Sequence, residues 1–305
     1  MKRPIAISLS PNTQGKDVLL ALRFIVNPFR FQRGRAIRQS EQWFASFFNA
    51  GKAVSFRSGR DSLLAILQAF GIGAGDEVII QAFTCVAVPN AVLWAGATPA
   101  YVDIDESLGI DPTLIRAKIT RKTKAIIVQH TFGIPSKIEE IMEIARKKDL
   151  LVIEDCAHVV GGEYKGKKLG TFGDASFFSF GRDKAFSSVF GGMALVKEQK
   201  ALERLLTIQK NAPFPKKSWV AQQLFHPIAF SIILPFYNLL GIGKGILIFF
   251  QKIKALSFPV TLADKKSESV PPLIERFPNA LAELALCQLS KIHVYNKRRK
   301  EFVKT

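Results

Sequence analysis

The sequence predicts an α/β fold with a mostly parallel sheet covered by helices on both faces, and three observations carry that prediction. Short apolar runs alternate with helix-patterned runs from residue 52 to residue 196. Residues with chemistry to offer, His130 and Asp155 among them, fall at the carboxyl ends of the short runs, where ligands of open α/β sheets bind. A chain of 305 residues with 48% hydrophobic content has ample material for a sizeable core.

The first strand is "KAVSF" at 52–56, followed by "GRDSLLAILQAFGIG", whose Leu63, Leu64, Ile66, Leu67 and Phe70 form one apolar helix face. "DEVIIQAF" at 76–83 reads as a strand and "VPNAVLWAG" as the next helix. "TPAYVDI" at 98–104, "TKAIIVQH" at 123–130 and the run 149–155 continue the strand series. Between the last two, Ile138, Ile141 and Ile144 recur at helical spacing in "SKIEEIMEIARKK". "DASFFSF" at 174–180 and "GGMALV" at 191–196 are the last two strands. A single amphipathic helix is expected over 279–302, carrying Leu281, Leu284, Ala285, Gln288, Leu289 and Ile292.

Residues 213–260 break the pattern. The stretch 225–250 is strongly apolar with one lysine and one histidine, yet Pro227, Pro235, Lys244 and the three glycines of 241–245 interrupt it. Two readings stand above a true span: a pair of buried or interface helices joined by a Gly-rich turn, or a segment resting on a membrane surface beside Lys216, Lys217, Lys252 and Lys254.

The formal net charge is +18, from 43 Lys+Arg against 25 Asp+Glu, which favours anionic partners without choosing among them. Basic clusters at 116–124, 164–168 and 297–300 lack zinc-finger spacing, a basic zipper or an aromatic RNA-binding pattern, so nucleic acid is not an expected partner. Cys85, Cys156 and Cys287 follow no metal spacing and make no disulfide framework; a reducing cytoplasm and no metal site are expected. The basic start "MKRPIAISLSPNTQG" has no sustained apolar run, and no signal peptide is read there.

The chemistry gathers at strand ends along one sheet edge. Asp155 ends one strand, with His158 three residues on; Ser179 lies near the end of the next, with Lys184 five residues later. A carboxylate, a hydroxyl and a lysine at one edge suit pyridoxal phosphate. The amine can hold the aldehyde as a Schiff base, and the carboxylate can keep the pyridine nitrogen protonated. "RSGRDS" at 57–62 spans a strand-to-helix junction, where free N–H groups favour a phosphate; Gly59 permits close approach, Ser58 a hydroxyl and Arg60 a charge. "GIGAGDE" at 71–77 and "GIGKG" at 241–245 do not match GxGxxG. Arg182 and Asp183 read as loop charges, and Gly191–Gly192 as a pair that lets the chain pass close to a cofactor.

With those residues in place, the chain resembles the DegT/StrS family of sugar aminotransferases, on stretches 58–79, 84–105, 123–135, 152–196 and 281–292. The resemblance implies the large domain of pyridoxal-phosphate transferase fold type I, a three-layer α/β structure. It implies that Lys184 carries the cofactor and moves the proton, that Asp155 pairs with the pyridine nitrogen, and that His158 lies beside the ring. Ser179, Ser58, Gly59 and Arg60 would hold the phosphate. It further implies a homodimer that transfers an amino group, usually from glutamate, to a nucleotide-linked keto-sugar; histidine at the position of Lys184 would have implied a dehydratase.

Cys85 stands where the family has a ring-stacking aromatic, and Arg60–Asp61 replace small residues. Family members continue past the 279–302 helix into a small C-terminal domain. The expected organisation is a cofactor-binding domain at 1–208, an apolar insertion or interface segment at 209–277, and the start of the small domain at 278–305. Alternatives of other classes are a pyridoxal-phosphate enzyme on a lipid-linked or small keto substrate, and a non-catalytic structural or membrane-associated partner. For the apolar insertion, peripheral contact at the inner face of the membrane is the sharper expectation.

Overall fold

A computed structural model describes residues 12–258, 260, 262–266 and 273–304. The N-terminal stretch read for a signal peptide lies largely outside the described residues.

Seven strands form one sheet: β1 (Ala53–Phe56), β2 (Glu77–Gln81), β3 (Thr98–Val102), β4 (Thr123–Gln129), β5 (Leu151–Asp155), β8 (Ala175–Ser179) and β9 (Gly192–Val196). Two short strands, β6 (Glu163–Tyr164) and β7 (Lys167–Lys168), make a separate hairpin. The order in the sheet is β1-β9-β8-β5-β4-β2-β3. Pairings from β8 through β3 are parallel, whereas β9 runs antiparallel to both β8 and β1. The sheet is therefore mixed but mostly parallel, as the alternating pattern predicts.

The helices are α1 (Gly15–Ile25), α2 (Arg35–Phe47), α3 (Gly59–Ala69), α4 (Ala87–Trp94), α5 (Pro112–Lys118), α6 (Ile138–Lys148), α7 (Gln199–Asn211), α8 (Lys217–Ile233), α9 (Ile242–Lys252), α10 (Leu262–Lys265), α11 (Asn279–Leu289) and α12 (Ile292–Lys304).

Strand side chains alternate between two cores, the period-two rule applied to a sheet buried on both faces. Val78, Ile80, Ala125, Ile127 and Phe177 face a core closed by α3, α4 and α7, where Leu63, Leu64, Ile66 and Leu67 are buried. Their neighbours Ile79, Ile126, Val128 and Val152 face the opposite side, against Ile138, Ile141 and Ile144 of α6. On that same side Met193, Leu195 and Phe178 meet α1, α2 and α11 through Phe44, which lies 5.3 Å from the ring of Phe178 and 5.4 Å from that of Phe180. Parallel strands aligned in this way place the ends of β4, β5 and β8 along one edge.

Two expectations change. The helix expected over 279–302 is two helices, because Ser290 Oγ donates to the Cys287 carbonyl at 2.8 Å, a side-chain bond that competes with the helical ladder. Lys291, at the break, reaches Asp17 Oδ2 of α1 at 3.1 Å. The two apolar helices do exist, as α8 and α9, but they differ in burial. Val220, Leu224, Ala229, Phe230 and Ile233 of α8 are buried, whereas on α9 only Gly243 is. Among the described residues no helix is long and apolar enough to cross a membrane.

Candidate active site

The sheet edge at β5 and β8 opens into a cavity of about 140 Å³. It is lined by all eight residues that the sequence singles out: Ser58, Gly59, Arg60, Cys85, Asp155, His158, Ser179 and Lys184.

Asp155 closes β5 at 3% exposure, with the Ala157 N–H donating to its Oδ1 at 2.9 Å. Burial lifts its carboxyl from 3.8 to about 6, against the opposing pull of that N–H, of Lys184 and of His130. His158 follows in the loop, its Nδ1 accepting the Phe132 N–H at 3.2 Å, which leaves the ring proton on Nε2. Phe132 stacks on the imidazole at 5.6 Å and 8°. Burial and the nearby Lys184 lower the histidine to about 4, so the ring is neutral at pH 7. Phe132 itself takes φ of 54°, a left-handed backbone unusual for an aromatic residue.

Lys184 stands in the loop between β8 and β9. Its N–H closes a turn on the Gly181 carbonyl at 3.1 Å, and its Nζ lies 3.2 Å from Asp183 Oδ2. The loop is anchored by Arg182, where the sequence reading is corrected. Arg182 is 5% exposed and donates to the Ser257 carbonyl at 2.6 Å, to Ser257 Oγ at 2.7 Å and to Gln223 Oε1 at 3.2 Å, with its guanidinium over the Phe190 ring. These are neutral partners, and burial lowers the guanidinium to about 10. An arginine beside a catalytic-looking lysine reads as a loop charge because Ser257 is 75 residues away in sequence.

Ser58 caps α3, its Oγ accepting the Asp61 N–H at 3.2 Å while keeping its own proton to donate. Asp61 points away from the cavity and pairs with Arg57 at 3.1 Å. Arg60 lines the cavity, but its guanidinium is paired with Asp264 of α10 at 3.3 Å, so its charge is shared. A side chain at Gly59 would put its Cβ 2.8 Å from the Cβ of Ser179, so only glycine lets the α3 N-terminus and Ser179 close on one point. Gly192 plays the same part against the cradle's backbone: a Cβ there would lie 2.3 Å from the Ser58 carbonyl. The glycine pair therefore serves close packing of β9 on the cradle, and Gly191 packs against Phe180 and Phe277.

At the cavity wall and beside it lie polar residues that sequence reasoning missed, Gln129 among the lining. Gln129 Oε1 accepts from Thr84 Oγ1 at 2.6 Å, and Thr131 Oγ1 accepts from Gln129 Nε2 at 2.9 Å and from Gln81 Nε2 at 3.1 Å. Gln81 and Gln129 end β2 and β4, and Thr84 and Thr131 follow within three residues, which is the signal that was available.

His130, Glu154 and Cys156 come within 4.8 Å of one another. The Glu154 carboxylate already accepts N–H groups from Gly170, Phe172 and Gly173 at 2.6–2.8 Å, and His130 Nε2 at 3.0 Å. Burial with Glu154 and Asp155 nearby holds the Cys156 thiol well above its usual range. The cluster thus ties down the 170–173 turn, with its acceptor capacity already used.

The sheet order, the helix-capped cradle and the lysine after β8 are the layout of a pyridoxal-phosphate transferase large domain of fold type I. A family model for DegT/DnrJ/EryC1/StrS aminotransferases matches residues 12–225. GDP-perosamine synthase of Escherichia coli O157:H7 is 38% identical over 197 residues, 64% of this chain and 54% of the relative. The UDP-N-acetyl-3-dehydro-alpha-D-glucosamine 3-aminotransferase of Acidithiobacillus ferrooxidans is 38% identical over 64% of this chain and 53% of its own.

Among solved structures, an aminotransferase from Psychrobacter cryohalolentis superposes with a TM-score of 0.68 at 26% identity, over 92% of this chain and 62% of its own. The ntda protein of Bacillus subtilis, solved with bound cofactor PMP, superposes with a TM-score of 0.62 at 25% identity, over 77% of this chain and 60% of its own. The chain belongs to the DegT/DnrJ/EryC1/StrS aminotransferase family, and spans about half the length of the curated relatives it matches.

Proposed function

We propose that the chain is a pyridoxal-phosphate-dependent aminotransferase that moves an amino group, from glutamate, to a nucleotide-linked keto-sugar used in cell-envelope or polysaccharide biosynthesis. The observation that carries this reading is that Lys184 and Asp155 line one cavity with Ser58, Gly59 and Ser179. The residues fit the cofactor. A phosphate ester needs free N–H groups and hydroxyls at close range, and the space that a Cβ on Gly59 would fill lies between the α3 N-terminus and Ser179. A pyridine nitrogen needs a buried acid, and Asp155 is one. The likeness to ntda, solved with PMP, supports the same cofactor. The GDP- and UDP-linked sugars in the relatives' names support the substrate class.

When bound, pyridoxal phosphate supplies an electrophilic aldehyde and an electron sink. The chain's own residues supply the rest. Asp155, a buried acid, would hold the protonated pyridine nitrogen, a cation that would offset the cost of its ionisation. Lys184 Nζ, 3.2 Å from Asp183 Oδ2, is the amine that would hold the cofactor and serve as the proton carrier. His158, neutral with its proton on Nε2, is a hydrogen-bond donor beside the ring. Ser58 and Ser179 donate to the phosphate, and Arg60 adds a shared charge. Cys85 covers the ring less fully than an aromatic would.

The functional unit proposed is a cytoplasmic homodimer. Phe83, Phe132 and Tyr101 are exposed aromatics, and Phe132 and Phe83 pack edge to face 6.4 Å apart next to His158, which supports a partner surface at the mouth.

The test is borohydride reduction of the purified chain with pyridoxal phosphate, followed by peptide mass spectrometry. The expected result is one cofactor-modified peptide containing Lys184, absent in Lys184→Ala, and loss of the visible band on adding glutamate. Equal labelling of parent and variant would refute the assignment of Lys184.

A further inference from the structure

We infer that the α8–α9 hairpin is a docking surface for an anionic membrane, with α9 lying along the lipid headgroups. Helix α9 pairs with α8 through a small core of Ala229, Phe230 and Ile233 with Ile246, Leu247 and Phe250. That contact uses one side of α9. Bordering that contact, Ile242, Phe249 and Ile253 form one row at helical spacing, all exposed, with Phe249 at 57%. Beside it runs a second exposed row of Lys244, Ile248 and Lys252 at i, i+4 and i+8. Leu240, in the turn before α9, is 93% exposed, and Ile232 of α8 and Phe236 just after it are exposed as well.

An apolar row flanked by lysines is the composition of a helix that rests in a bilayer interface. The charge pattern selects the occupant. No Asp or Glu occurs between Glu203 and Asp264, while Lys216, Lys217, Lys244, Lys252 and Lys254 all fall in that interval. A second copy of this chain would bring the lysine row against its own like-charged counterpart. A lipid surface rich in phosphate supplies the opposite charge along the whole row, and the acyl boundary takes Phe249 and Ile253. The helix is too short to span, in keeping with an interfacial rather than an inserted role.

The hairpin also reaches the site. Gln223 of α8 and Ser257, just after α9, hold Arg182 in the Lys184 loop, and Val260 lines the cavity. The inference stands on surface chemistry and does not depend on the cofactor assignment.

The test is sedimentation of the purified full chain with phosphatidylcholine vesicles and with vesicles that also contain phosphatidylglycerol. Binding is expected to the anionic vesicles, weakened by added salt. Lys244→Glu with Lys252→Glu is expected to weaken it by roughly tenfold or more, since each basic residue near such a surface is worth about a factor of five. Phe249→Ser with Ile253→Ser is expected to weaken it by at least as much. Hydrogen exchange of the unaltered chain should slow at 242–253 on adding anionic vesicles, a readout independent of any variant.

Absence of binding to anionic vesicles overturns the inference, as does binding that both double variants retain. So does a self-association that Phe249→Ser with Ile253→Ser abolishes in a chain that ignores vesicles. Cofactor loading is followed in the same samples by absorbance. Vesicle binding without loading upholds the docking surface and counts against the enzymatic reading; loading without vesicle binding does the reverse.

Discussion

Replacing Asp155 by Asn should stabilise the cofactor-free protein at pH 8, because the site holds a carboxylate where the fold alone disfavours one. Burial lifts this carboxyl from 3.8 to about 6. A group whose folded value is raised binds its proton more tightly in the folded state. The associated stability is therefore full below pH 3.8 and is lost as pH rises through 6. At about 1.4 kcal/mol for each pH unit, the ionised form costs about 3 kcal/mol at pH 7 and above. Asparagine keeps an oxygen for the Ala157 N–H, which Asp155 now accepts at 2.9 Å, but adds an amide that also needs a partner. The expected net gain is about 1–3 kcal/mol at pH 8, falling toward zero near pH 4.

Urea denaturation of both proteins without cofactor, at several pH values between 4 and 8, measures it. His158 slopes the other way, because its lowered value near 4 makes stability fall as pH drops through 6.5 toward 4. Both proteins keep His158, so the difference between them isolates Asp155. Adding pyridoxal phosphate should reverse the ranking, since the cofactor supplies the ionised carboxylate with a cation and stabilises the parent more. An Asp155→Asn variant less stable than the parent at pH 8, or a difference that does not change with pH, would refute the reasoning.

Two further outcomes follow from other residues. Arg182→Gln removes most of three hydrogen bonds to Ser257 and Gln223 and leaves buried acceptors behind; a loss of about 2–4 kcal/mol in urea unfolding is expected, with faster hydrogen exchange over 181–190, and a loss below about 1 kcal/mol counts against the anchoring role. Cys85→Phe places a ring at the exposed cavity wall. Cofactor affinity measured by fluorescence titration should rise by up to roughly tenfold, the range of one aromatic stacking contact, and an unchanged or weaker affinity speaks against Cys85 as the ring's cover.

Much of the fold was legible because its signals are local. Alternating strand and helix patterns marked the elements, and the capping sequence at Ser58–Gly59 marked the start of α3 at the cavity. The positions of Asp155, Ser179 and Lys184 after strands marked one sheet edge. Strand pairing was less legible: a run such as "GGMALV" has no residue that says whether β9 lies parallel or antiparallel.

By itself, then, the sequence determined the layered α/β architecture and eight of the residues that meet in the cavity, since periodicity and strand ends are properties of short segments. Only the tertiary structure decided what those residues' charges do. It paired Arg60 with Asp264 and turned Asp61 onto Arg57. It buried Arg182 among partners up to 75 positions away, and among the described residues it covered α8 far more than α9. The physical reason is that a charge's free energy depends on its solvation and its nearest partner, and both are set by which distant segments the folded chain brings alongside it.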